Sequence, residues 1–250
     1  MQRIELFECP MDVASMDETV AGIEARIESR RFTQHVVVNV AKLVHMQTDT
    51  ALRASVCACD LINIDGMGVV FAGRALGYRI PERVAGIDLF ERLLAMAERR
   101  RFPVFFLGAT QPVVEQVVER CTATYRQLPV AGYHHGYFWD DERAMVDTIR
   151  ASGARLLFVA ITSPKKEIFI DRWRDELGVD FVMGVGGTFD VVAGKVSRAP
   201  RWMQHSGLEW LYRLLKEPRR MWRRYLGTNA RFAWMLLSSM IRSGSRKKSA

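Results

Sequence analysis

Six short apolar runs punctuate the first 194 residues: His35–Asn39, Leu61–Ile64, Val104–Leu107, Val130–Gly132, Leu156–Ala160 and Phe181–Gly184. They are rich in β-branched and aromatic residues, and each is closed, at once or within a few residues, by Gly, Asn, Asp or Pro. Unbroken apolar runs of this length suit strands buried on both faces of a parallel sheet, because half-exposed strands alternate apolar with polar residues. Stretches with helical spacing lie between them. Leu89–Arg100 follows Asp88 as a prospective N-cap, and Gln111–Tyr125 follows Thr110 with Pro112 in its first turn. Asp140–Ala151 and Lys165–Leu177 complete the series. This alternation predicts βαβ units, hence an α/β chain with a Rossmann-like, mostly parallel sheet and flanking helices over residues 1–194.

A second region begins near Lys195. From Lys195 to Ala250 there are 14 Lys/Arg against 2 Asp/Glu, a balance of +12. The preceding 194 residues carry 22 against 26, a balance of −4, and the two give the net +8. Four of the six tryptophans (Trp202, Trp210, Trp222 and Trp234) share this basic segment. Basic charge interleaved with aromatics marks a surface for polyanions or an anionic membrane. Helical pattern resumes around Gly207–Glu217, and Pro218 breaks it or opens the next helix. At about 100° per residue, Arg220, Arg224, Arg231 and Arg242 share one sector. Met221, Trp222, Tyr225, Leu226, Phe232, Leu236, Leu237 and Met240 lie opposite. Such a split fits a helix lying in a membrane interface, and equally a terminal helix packed on its own core. The expected organisation is therefore a catalytic domain over 1–194, a helical membrane-associating appendage over 195–242 and a disordered tail over 243–250.

Other classes are disfavoured. Cys9, Cys57, Cys59 and Cys121 have neither staple nor zinc-finger spacing, so reduced thiols in a cytoplasmic protein are expected. The N-terminus is too acidic for a signal peptide. The longest apolar candidate, Phe232–Ile241, is about half the ~20 residues of a membrane span. His134 and His135 are adjacent, point apart and lack a completing carboxylate, so they read as loop residues and no metal site is expected.

Four constellations could carry chemistry. In Gly184-Val-Gly-Gly-Thr-Phe-Asp190 the glycines Gly184, Gly186 and Gly187 follow a strand and open a helix, where backbone N–H groups can approach a phosphate. A tight turn without ligand explains the same block. Asp65 directly follows a strand and precedes Gly66 and Gly68, a place for a general base or for a helix cap. Arg83 could pair with a phosphate through its planar guanidinium, or form a surface ion pair. Ser163-Pro-Lys-Lys-Glu167, with Lys165 and Lys166, lies beyond the Leu156–Ala160 strand, on the same sheet edge as Asp65; a solvated helical turn is the plainer reading. In open α/β sheets ligands bind at this edge.

These motifs, with Gly194-Lys-Val-Ser-Arg-Ala-Pro200 and Gly207-Leu-Glu-Trp-Leu-Tyr-Arg213, occur in an order that resembles the WecG/TagA/CpsF glycosyltransferases over about Val36–Tyr225. The resemblance implies inverting transfer of a sugar from a UDP-sugar to an undecaprenyl-diphosphate-linked sugar, in building cell-surface polysaccharide. It implies Asp65 as the base, Asn39 and Arg83 as cleft residues and the Gly184–Gly187 block at the nucleotide-sugar site. It also implies a C-terminal appendage that brings arginines to the diphosphate, here Arg213, Arg220 and Arg224. Two positions depart from the family pattern, Lys166 for a usual Gln and Val37 for a frequent Thr, and both are expected to touch substrate. Val38-Asn-Val-Ala-Lys-Leu-Val44 is similar to the GumM-like exopolysaccharide branch. Glucose, ManNAc and ManNAc uronate remain open as donor sugars.

The expected partners are thus a UDP-sugar donor, a polyprenyl-diphosphate-sugar acceptor and an anionic membrane surface on the inner face of the bacterial cell membrane. No cofactor is expected, and no Asp-x-Asp motif is present to hold a metal, so arginines, lysines and glycine backbone would stabilise the departing diphosphate. A nucleic-acid-binding tail and a non-catalytic UDP-sugar-binding module are the alternatives; the first lacks a recognisable nucleic-acid module. A homo-oligomer is compatible with the sequence.

Overall fold

A computed structural model describes residues 1–216 and 218–247, less the side chains of His205, Arg213, Arg220, Met221, Arg223, Arg224, Tyr225 and residues 242–247. The chain opens with an antiparallel hairpin, β1 (Gln2–Leu6) and β2 (Cys9–Val13), followed by α1 (Met16–Glu28). Then come β3 (Thr33–Val38), α2 (Val40–Met46), α3 (Thr50–Cys57), β4 (Leu61–Ile64), α4 (Met67–Ala75) and α5 (Gly86–Arg100). They are followed by β5 (Val104–Gly108), α6 (Gln111–Thr124), β6 (Val130–His134), α7 (Glu142–Ala151), β7 (Leu156–Ala160), α8 (Lys165–Trp173), β8 (Phe181–Gly184) and α9 (Thr188–Val192). The C-terminal region contributes α10 (Arg201–His205), α11 (Glu209–Lys216) and α12 (Pro218–Lys247).

Strands β3 to β8 form one parallel sheet in the order β4-β3-β8-β7-β5-β6. The predicted α/β class and all six strands are therefore present. Strands β5 and β7 are buried along their whole length, which is why their sequences read as continuous apolar runs. Alternate residues still serve opposite faces. Val104 and Phe106 join Phe90, Phe158 and Phe189 in one core, while Phe105 and Leu107 pack with Val146, Ile149 and Phe169 in another. A third core lies between the hairpin and helices α2 to α4.

Some boundaries differ from expectation. Helix α5 starts at Gly86 with Ala85 at its N-cap, so Asp88 sits in the first turn and is free to pair elsewhere. Helix α8 ends at Trp173, and β6 continues through His134. The tight turn of the hairpin uses Phe7 and Glu8, both at positive φ. A two-residue hairpin turn demands such angles and normally recruits Asn or Gly, so this hairpin carried no sequence signal.

Helix α12 has two apolar stripes. Phe232 is buried against Phe7, with ring centroids 5.3 Å apart, and Met235 and Leu236 pack on the same core. Of the two readings of the apolar side, Phe232 and Leu236 thus follow the one in which the helix packs on the chain's own core. The second stripe (Trp222, Leu226, Leu237 and Met240) stays exposed. Pro218 is the first residue of α12, where its missing N–H costs nothing. Among the described residues no helix is long and apolar enough to cross a membrane.

Candidate active site

The carboxyl ends of β4, β3, β8 and β7 stand side by side, and the sequence motifs converge there. Neighbouring strands lie about 4.8 Å apart, so this edge spans roughly 14 Å from β4 to β7. In chain terms β3 leads to β4 on one side, whereas β8 is reached from β7 on the other. Such a reversal opens a crevice for ligands.

Asp65 leaves β4 at one end of this edge. Its N–H donates to the Val38 carbonyl at 2.8 Å, holding it beside β3. Its carboxylate does not cap α4: the N-cap is Gly66, at φ 141°, a conformation that favours glycine. Instead Asp65 Oδ2 accepts a long 3.4 Å contact from the Gly86 N–H. The segment before α5 is pinned alongside, because the Val84 N–H donates to the Ile64 carbonyl at 2.9 Å. Arg83 is thereby carried next to the end of β4. A Cβ on Gly86 would lie 3.3 Å from Val37 and 3.8 Å from Asp65 Oδ2, so Val37, Gly86 and Asp65 are immediate neighbours. Asn39 caps α2, its Oδ1 accepting from the Lys42 N–H at 3.0 Å, and is exposed at the same edge.

Lys166 occupies the β7–β8 end and is buried, not solvated. Its Nζ donates to Ser163 Oγ at 2.5 Å and lies 2.8 Å from Glu167 Oε1. Lys42 reaches the same oxygen at 3.4 Å, and Ser163 Oγ donates to it at 2.8 Å. Two ammonium groups thus share one carboxylate. Burial would raise the Glu167 pKa, but Lys166 and Lys42 outweigh it and hold the carboxyl below the usual range. Burial, aided by Lys42, pulls Lys166 below the usual lysine value. Gly184 makes room for this lysine: a Cβ there would sit 2.6 Å from Lys166 Cε. Gly186, at φ 52°, and Gly187 have open space where a Cβ would stand. They precede α9, a helix of only 5 residues.

Arg83 does not project freely. Its Nη1 donates to Glu209 Oε2 of α11 at 2.6 Å. Glu209 Oε1 accepts from Arg198 Nε at 3.3 Å, and Arg198 Nη2 lies 2.6 Å from Asp88 Oδ1. Burial would raise the Glu209 carboxyl, but Arg83 and Arg198 outweigh it and keep its pKa below the usual value. Sequence reasoning passed over Glu209, although it is one of only two acidic residues after Lys195 and lies inside the Gly207–Arg213 motif. The side chains of Arg213, Arg220 and Arg224 lie outside the described residues. His134 and His135 are taken up locally: His134 Nδ1 is 2.8 Å from the His135 carbonyl, and His135 Nδ1 accepts from the Tyr137 N–H at 3.1 Å.

A parallel sheet whose carboxyl edge gathers a carboxylate, an arginine, one buried and one half-buried lysine and open glycine backbone has the groups that a group-transfer enzyme acting on a phosphorylated donor requires. The model of the glycosyl transferase WecG/TagA/CpsF family matches residues 4–246. The chain is also 40% identical over 174 residues to a Bacillus spizizenii protein, covering 70% of this chain and 67% of that one. That relative is named an N-acetylglucosaminyldiphosphoundecaprenol N-acetyl-beta-D-mannosaminyltransferase. The protein is a glycosyltransferase, and it belongs to the WecG/TagA/CpsF family.

Proposed function

We propose that the protein moves a hexosyl group from a UDP-sugar to the hydroxyl of a sugar carried on a polyprenyl diphosphate, with inversion at the anomeric carbon. The relative's printed name supports a diphosphopolyprenol acceptor. The observation that carries the mechanism is the placement of Asp65 at the carboxyl end of β4, with the Val84–Gly86 segment that follows Arg83 pinned alongside. Asp65 takes the proton from the acceptor hydroxyl. The freed oxygen bonds to the anomeric carbon, and the bond from that carbon to the UDP oxygen breaks in the same displacement. Charge then develops on the departing diphosphate. Arg83 and the backbone of Gly186 and Gly187 supply the compensating charge and dipoles, with Asn39 orienting the sugar, while Lys166, buried and paired with Glu167, packs against Gly184. Arg213, Arg220 and Arg224 are proposed to complete this positive surround.

The acceptor lipid requires the cleft to meet a bilayer. The exposed stripe on α12, with Trp202 and Trp210, is proposed to rest in the interface of the cytoplasmic membrane, while Arg219 and Arg231 meet anionic headgroups. The test is a panel of UDP-glucose, UDP-ManNAc, UDP-ManNAc uronate and UDP-GlcNAc against short-chain lipid-diphosphate sugars, read as UDP release. Release with one donor, dependent on acceptor, is expected. Hydrolysis without acceptor dependence would overturn the transfer reading.

A further inference from the structure

We propose that Glu209 is a positioning residue, seating the C-terminal appendage on the catalytic edge by ordering Arg83 through one carboxylate oxygen and holding Arg198 through the other. The inference rests on the glycosyl-transfer reading for its kinetic consequence, though not for its structural one.

The four side chains alternate in sign: Asp88 in the first turn of α5, Arg198 in the segment leading to α10, Glu209 at the start of α11, and Arg83 in the segment pinned to the end of β4. Each of the three ion pairs therefore crosses from one chain segment to another. They are also sheltered: the Arg83, Glu209 and Arg198 side chains are 14%, 17% and 20% exposed. Fully exposed pairs contribute little, but hydrogen bonds to charged groups at partly buried positions are stronger. Among the described residues the Arg83–Glu209 contact uses one guanidinium nitrogen, Nη1, and the other N–H groups of the fork have the geometry for a phosphate or sugar oxygen.

A second observation places the appendage over the same spot. Gly207, two residues before Glu209, has φ 71° and approaches the start of α4 so closely that a Cβ would fall 2.2 Å from Met67 Cγ. Met67 is two residues from Asp65. The Gly207–Glu209 turn therefore touches the catalytic edge at two points, by contact at Met67 and by charge at Arg83. An acidic residue here also stands against the composition of its segment, where 14 basic residues surround only 2 acidic ones. Glu209 is spent on the interior contact.

The test uses the full-length protein with Glu209→Gln, which keeps shape and one acceptor while removing the charge, and with Arg198→Gln, which removes the other arm. Amide hydrogen exchange over residues 209–216 is expected to quicken about tenfold or more in both variants, with β5 and β7 unchanged. UDP-release kinetics are expected to show a KM for the UDP-sugar raised by about tenfold with a smaller change in kcat, and Glu209→Asp is expected to recover part of it. Unchanged exchange in 209–216, or equal acceleration in β5 and β7, would overturn the seating role. Quickened exchange with unchanged KM would overturn the ordering of Arg83. If the wild type releases no UDP, the transfer reading fails, while the exchange data still judge the seat.

Discussion

Asp65 and His35 lie on neighbouring strands in different surroundings. Asp65 sits half-exposed past the end of β4. Asp65→Asn is expected to lower kcat by about 10²- to 10⁴-fold, the usual contribution of a general base, with circular dichroism and melting temperature unchanged. Retained turnover would remove Asp65 from that role. His35 lies in the middle of β3 and is buried, its Nε2–H donating to Asn63 Oδ1 at 3.0 Å. Burial pushes its pKa down to about 4, against a partial opposing effect of the Asn63 bond. The unfolded imidazole titrates near 6.5, so between these values the unfolded chain binds a proton that the folded one refuses. The contribution is present above about pH 6.5 and is lost as pH falls towards 4, amounting to about 3 kcal/mol. Urea unfolding of wild type and His35→Gln is expected to show a flatter pH dependence for the variant across that window. Identical slopes would show that His35 titrates normally.

At the scale of elements, helix α12 serves two surfaces at once. Counting about 100° per residue, Trp222, Leu226, Ala233, Leu237 and Met240 fall within about 60°, while Phe232 and Met235 lie on the other side of the axis and Leu236 borders the first group. The first group is exposed and the second packs on the core. A helical wheel alone cannot say which of these apolar stripes meets protein, because periodicity does not distinguish a core from a membrane. Phe232→Ala is expected to cost about 3 kcal/mol of stability and to loosen α12, seen as faster hydrogen exchange along that helix. The turn before α11 makes a sharper case. Gly207→Ala combines an unfavourable left-handed conformation, about 1 kcal/mol, with a clash at Met67. Reduced activity with the sheet core intact is the expected result, and a wild-type enzyme with alanine there would show that the turn does not seat the appendage.

For the whole molecule, the basic and aromatic bias of the last 56 residues gains a direction from the fold. The docked stripe of α12 fixes which face remains outside, and that face carries Trp222, Leu226, Leu237, Met240 and Ile241. A triple variant, Trp222→Ser with Leu226→Ser and Leu237→Ser, is expected to lose about tenfold or more of its binding to anionic phospholipid vesicles, measured by co-sedimentation. Its melting temperature is expected to hold, since these side chains are exposed. Undiminished binding would refute the bilayer contact. Raising the ionic strength is expected to weaken vesicle binding of the wild type as well, through screening of the arginines.

The six sheet strands were legible in the sequence because strands buried on both faces must be apolar throughout, and that requirement needs no knowledge of neighbours. The position of Asp65 directly after β4 was legible as well, because the apolar run ends there and glycine follows. The hairpin was not legible, since Phe7 and Glu8 hold a turn that sequence reserves for Asn and Gly. Nor was the destination of Lys166, which reads as a solvated first turn yet fills the space left by Gly184. Asp88 looked like a cap and serves as a counter-ion to Arg198. The sequence by itself determined the parallel sheet, its polar carboxyl edge and the charge of the C-terminal segment, because burial and backbone sterics act locally. Only the tertiary structure decided which distant charges meet there. The pairing of Arg83 with Glu209 spans 126 positions and depends on how α11 docks, a quantity that no local pattern encodes.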